Sequence, residues 1–87
     1  MVDKMNNLQI GKMYKVPWYI EADEYVAGRL IERVKLNDSD YVIVISMEEY
    51  RMGNEIRWDT KLLTGEGRLV YVSISQAGSS YWKKAHG

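Results

Sequence analysis

The chain has no cysteine and no phenylalanine, one proline, one histidine, no net charge and no long apolar run. Each absence closes something. Without cysteine there is neither a disulfide nor a thiolate metal site, and a domain this small that does without such staples is expected in a reducing compartment, the cytoplasm. The single histidine, His86, is penultimate, so neither a histidine-dependent triad nor a multi-histidine metal centre can be assembled. No window approaches the ~18 apolar residues of a membrane span, and the opening MVDKMNNLQIGKMYK lacks an apolar core of signal-peptide length. A soluble, non-secreted protein is expected. Twelve Lys and Arg balance twelve Asp and Glu, which removes any overall electrostatic pull toward nucleic acid or anionic lipid.

What is present is an ordinary globular composition, 46% hydrophobic and 28% charged over 87 residues. That length suits one domain, residues 1–87, burying roughly 60–65% of its unfolded surface. Charge is unevenly spread. Lys4, Lys12 and Lys15 outnumber Asp3 at the start, and Lys61, Arg68, Lys83 and Lys84 outnumber Glu66 near the end, so residues 21–59 carry the acidic excess. If the two ends meet in the fold, they form a modestly basic face.

Residues 62–75, LLTGEGRLVYVSIS, set Gly65 and Gly67 one residue apart. A phosphate loop would lead into a helix N-terminus. Here Val70, Val72 and Ile74 alternate with Tyr71, Ser73 and Ser75, while upstream Ile56, Trp58, Thr60 and Leu62 alternate with Arg57, Asp59 and Lys61. Two strands joined by Thr-Gly-Glu-Gly make a β-hairpin in which glycine supplies positive φ. YVIVIS, residues 41–46, is an apolar, β-branched central strand followed by a polar loop, MEEYRMGNE. LQIGKMYKV, residues 8–16, is a first strand stopped by Pro17, and SSYWKK is a short last strand. Residues 21–36 stay ambiguous. Val26, Ala27, Leu30, Ile31 and Val34 have helical spacing, with Asp23 as a cap, yet Val26, Leu30, Val34 and Leu36 also share a strand face and Gly28 weakens a helix. A long hairpin-like excursion has the edge, with one short helix within residues 21–36 as the alternative.

The order of these signals, an excursion, the acidic turn LNDSD, the strand YVIVIS, a variable loop and then RWDTKLLTGEGRLVYVS, resembles the SH3-like barrel across roughly residues 34–75. The resemblance implies a mainly β, small SH3-like barrel of about five strands. Signalling members bind proline-rich peptides through an aromatic Ala-Leu-Tyr-Asp-Tyr run, a tryptophan pair and a Pro-x-x-Tyr step. Here Arg57-Trp58 stands for the tryptophan pair and Ser73-Ile74-Ser75 for the proline step, so proline-rich ligands are not expected. LQIGKMYKV is also similar in style to small SH3-like proteins encoded by bacteriophages, which implies a phage or mobile-element protein that binds and modulates a host cytosolic protein.

No nucleophile, base or cofactor loop can be identified, so no enzyme, cofactor or metal is expected. Asp38 and Asp40 read as turn-formers flanking a strand, and Glu48 and Glu49 as a solvated acidic surface in a polar loop. The aromatics are more informative. Three Trp and seven Tyr all carry a polar tip that suits surfaces. Trp58 reads as core, whereas Trp18 and Trp82 are undecided between core and surface. The expected partner-binding residues are Tyr14, Trp18, Tyr19, Glu48, Glu49, Tyr50, Arg51, Tyr81, Trp82, Lys83 and Lys84, on a non-catalytic protein-binding module that is a monomer or homodimer. The alternative is a nucleic-acid-binding barrel, with Lys12, Lys15, Lys83 and Lys84 on the backbone and Tyr14, Trp18, Tyr81 or Trp82 stacking on bases.

Overall fold

The computed structural model describes residues 8–85; His86 lies outside them. In chain order the elements are β1 (Met13–Lys15), β2 (Ile20–Val26), β3 (Arg29–Leu36), β4 (Tyr41–Met52), β5 (Glu55–Thr64), β6 (Leu69–Ser75), a one-turn helix α1 (Gln76–Ser79) and β7 (Lys83–Lys84). The strands form one antiparallel sheet in the order β3-β2-β6-β5-β4-β1-β7.

The fold is thus mainly β, as expected, but it is an open sheet of seven strands and not a closed barrel of about five. The additional strands come chiefly from the excursion, whose two limbs pair with each other along their whole length. Laid flat at about 4.8 Å per strand, β3 would stand about 24 Å from β1. Yet Val34 and Leu36 of β3 belong to the same buried cluster as Tyr14 of β1 and Trp82. The sheet therefore curls around one core, with Val42, Val44, Leu62, Val70 and Ile74 at its centre.

Residues 21–36 are extended throughout, and no helix forms there. Ala27 and Gly28 both have positive φ, 54° and 80°, the geometry of a two-residue hairpin turn matched to strand twist. Between Glu24 and Tyr25 the register shifts: Glu24 faces Glu32 and Tyr25 faces Leu30, leaving Ile31 as the extra residue of a bulge. Turn and bulge together displace the apolar phase, which is why helical spacing appears in an extended segment. Val34 and Leu36 reach the core, whereas Val26 and Leu30 lie beyond it at the exposed hairpin tip.

The hairpin at residues 64–68 forms as expected. Thr64 N–H donates to Arg68 C=O at 2.9 Å, Gly67 N–H donates to Thr64 C=O at 3.0 Å, and Gly67 has φ +83°. Gly65 does not have positive φ, so only Gly67 is required by the turn. Thr60, Leu62, Val70 and Ile74 are buried, while Trp58 is half-buried.

Two expectations are corrected. The polar loop after residue 46 is strand, because β4 stays paired with β5 as far as Met52 opposite Glu55; the turn waits for Gly53, φ +65°. The one helix among the described residues lies at 76–79, where the Ser75 hydroxyl accepts from Gly78 N–H at 3.0 Å and caps it. No helix of the described residues is long and apolar enough to cross a membrane.

Candidate interaction surface

The first and last strands meet: β1 pairs with β7, and Lys15 stands directly opposite Lys83. Three local features build the surface beside them. Pro17 follows Val16, whose N–H donates to Asp40 C=O at 2.8 Å and whose C=O accepts from Ser39 N–H at 3.0 Å. With the chain pinned there, Trp18 projects at 45% exposure. On the other side the exit of α1 is fixed by Tyr81 N–H donating to Gly78 C=O at 3.1 Å, which presents Tyr81 at 60% exposure. The two rings meet edge to face, centroids 5.5 Å apart at 62°, an arrangement favoured by the aromatic quadrupole. Tyr19 is also exposed, and its hydroxyl donates to Glu21 Oε2 at 2.9 Å. That bond to a carboxylate holds the phenol pKa above its ordinary value.

Lys15 and Lys83 form a ridge between two shallow grooves. One, about 360 Å³, runs past Pro17, Trp18, Asp38 and Tyr81. The other, about 300 Å³, is lined by Met13, Tyr41, Lys84 and Ala85. Like charges directly opposite on a sheet are destabilising, and among the described residues neither lysine forms an ion pair. Lys84 is held by Gln9, its Nζ 2.9 Å from Oε1.

Of the other expected contact residues, Tyr14 and Trp82 are core, at 0% and 2% exposure. The Tyr14 hydroxyl accepts from Gln9 N–H at 2.7 Å, and burial raises its pKa against the lowering effect of that bond. Neither ring is open to a partner. Inward-facing positions on β1 and just before β7 fill a core that contains no phenylalanine.

Glu48, Glu49, Tyr50 and Arg51 are exposed but lie within β4, where successive side chains point to opposite faces. Glu48 and Glu49 thus do not form a pair. Tyr50 faces the same way as its cross-strand partner Arg57. The hydroxyls of Tyr50 and Ser73 are hydrogen-bonded, and Arg57 Nε donates to the same Ser73 oxygen at 2.7 Å. Arg57 is further anchored to Glu55 at 3.1 Å. A narrow groove floored by Ile20, Val72 and Ile74 joins Arg57 to Trp18. The structure therefore brings Trp18, Tyr81 and Lys83 together, links them to Tyr50 through Arg57, and leaves Glu49 and Arg51 facing away from Tyr50.

Arg57 and Ser73 carry no contact signal in the sequence beyond membership of the polar phase of two alternating strands. Asp40 acts as the turn-former expected, its Oδ2 accepting from Asn37 N–H at 2.9 Å. No cluster of three or more metal-ligating side chains occurs among the described residues. No family model, no curated protein and no solved structure matches this chain.

Proposed function

We propose that this chain is a non-catalytic protein-interaction module, an SH3-like barrel in its connectivity, that docks on another protein through the Trp18/Tyr81 surface. The fold reading draws support from the path of the chain: a paired excursion, a three-strand meander β4-β5-β6, one helical turn, and a last strand returning to the first. The functional reading is carried by one observation, the exposed edge-to-face pair of Trp18 and Tyr81 bordering a groove of mixed lining that includes Val16 and Pro17. Single exposed aromatics are common, but two rings gathered beside Pro17 make an aromatic patch of the kind enriched at interfaces. Action is stoichiometric: a rigid sheet presents side chains that occlude or bridge a partner's surface. On the resemblance to bacteriophage-encoded barrels, that partner is a host cytosolic protein.

The alternative, a nucleic-acid-binding barrel, draws on Lys12, Lys15, Lys83 and Lys84 beside Trp18 and Tyr81. Burial of Tyr14 and Trp82 takes away two of its four stacking rings, and zero net charge leaves little phosphate-driven affinity.

The test compares wild type with the Trp18→Ala/Tyr81→Ala double variant. Each is immobilised and exposed to lysate of the cell in which the protein acts, and each is separately titrated with single- and double-stranded DNA and RNA at low and physiological salt. The expected result is a defined protein retained by wild type and lost by a variant whose unfolding midpoint is unchanged. Nucleic-acid binding with a steep salt slope, removed by Lys83→Glu/Lys84→Glu, would replace this reading with the alternative.

A further inference from the structure

The lysine ridge carries the reading further. Lys15 and Lys83 are directly opposed across β1 and β7, a placement that costs the fold stability while the two charges go unneutralised. Lys84 follows on β7 in the opposite phase and is held by Gln9, and among the described residues only one carboxylate, Asp38, lines either adjoining groove. To one side lie Pro17, Trp18 and Tyr81; to the other lie Met13, Tyr41 and Ala85. Across the ridge the surface thus runs from an aromatic groove that also holds Asp38 and Ser39, through the two positive charges, to a second groove walled by Met13, Tyr41 and Ala85. β7 is also the last strand in the sheet order, and among the described residues no strand pairs with its outer edge, the side on which an added extended segment would pair.

We infer that this ridge receives an extended acidic segment of the protein partner, its carboxylates over Lys15 and Lys83 and its apolar side chains in the two flanking grooves. The inference rests on the protein-docking reading above and specifies the chemistry of what docks. Charge complementarity selects the occupant. An acidic segment relieves the repulsion between the lysines, and its neutral side chains match grooves walled by methionine, proline and aromatic rings. A nucleic-acid strand would offer nothing aliphatic to Met13 and Ala85.

The probes are two capped ten-residue peptides, one alternating leucine and glutamate and the other alternating leucine and lysine, together with a single-stranded DNA of the same charge as the first. Binding is followed by amide and indole NMR shifts. The glutamate peptide is expected to shift β1, β7 and the Trp18 indole, and to weaken about tenfold on Lys15→Glu. That substitution places opposite charges on the rung, so loss of fold is not an expected confounder. The double variant Lys15→Glu/Lys83→Glu is expected to invert the preference and take the lysine peptide. Equal binding of both peptides by wild type, no binding of either, or tighter binding of the DNA overturns the inference. The two levels fail separately. If the lysine variants still capture the cellular partner while Trp18→Ala/Tyr81→Ala does not, the acidic segment falls and the docking surface stands; if wild type captures no protein, the docking reading itself falls.

Discussion

Glu48 and Asp59 face each other directly across the β4/β5 ladder, two carboxylates on an exposed rung, neither in an ion pair among the described residues. Opposed like charges weaken a sheet, and an opposite-charge pair at such a position contributes about 0.2–1 kcal/mol. Replacing one partner should therefore stabilise the fold. Glu48→Lys is expected to stabilise the fold by an amount within that range, read as a higher urea midpoint with an unchanged denaturant slope. Added salt, which screens the repulsion, should narrow the difference between variant and wild type. A midpoint that falls would show that Glu48 makes a favourable contact instead.

Arg68 is the clasp of the excursion. Its guanidinium lies 3.0 Å from Glu24 Oε1 on β2 and 3.3 Å from Glu32 Oε2 on β3. Glu24 Oε1 is buried without a hydrogen bond, so the charge of Arg68 is what compensates it. Arg68→Met should leave that carboxylate oxygen uncompensated and loosen the β2/β3 hairpin from the β5/β6 turn. The expected signature is local: amide exchange between residues 24 and 32 faster by about tenfold, with the β4/β5 ladder little affected. Uniform acceleration across the sheet would mean that Arg68 supports the whole fold and not the excursion.

Tyr14 supplies a pH dependence of known sign. Burial holds its phenol pKa above the ordinary value in the folded chain, whereas the unfolded chain titrates near about pH 10. Above that pH the unfolded state loses the proton first, so it binds fewer protons than the folded state and stability falls as pH rises. The contribution is complete below about pH 10 and is lost as pH climbs through the folded pKa. Tyr14→Phe should lower stability at neutral pH, because Gln9 N–H loses its acceptor. The variant should also show a shallower decline on the alkaline side. Parallel alkaline slopes in the two proteins would contradict this origin.

How much of this was legible follows from where alternation is clean. Residues 56–62 and 69–75 alternate without interruption because one face is core and the other solvent, so hairpin, register and inward set can all be read. The excursion is harder, since the turn at Ala27 and Gly28 and the extra residue Ile31 shift the phase twice. The far half of β4 hides for another reason: residues 48–51 put charged side chains on both faces, and the segment is held extended by its partner β5, not by a pattern of its own. The helix at 76–79 begins from Ser75, a residue that also fits the end of the preceding strand. At the surface, Trp18, Tyr81 and the lysines were readable because both chain ends carry them. Arg57 and Ser73 were not, because their meeting depends on the β5/β6 register.

Trp18 and Trp82 illustrate what composition cannot separate. Both are tryptophans near a chain end and close to lysines, yet one is 45% exposed and the other 2%. The difference comes from strand phase. Trp82 precedes β7 and points into the core with Tyr14 and Val16, whereas Trp18 follows Pro17 and has left the ladder. Removing each ring should therefore have opposite consequences. Trp82→Ala deletes a buried side chain and opens a cavity, at a cost of about 3–5 kcal/mol, a large fraction of the roughly 5–15 kcal/mol that stabilises a typical domain. Trp18→Ala should change stability by about 0.5 kcal/mol or less. Fluorescence gives an independent check: acrylamide should quench the Trp18 emission of Trp82→Phe far more steeply than the Trp82 emission of Trp18→Phe, with Trp58 contributing equally to both. Similar losses of stability for the two alanine variants would place Trp18 in the fold's interior and remove the surface on which the proposed docking depends.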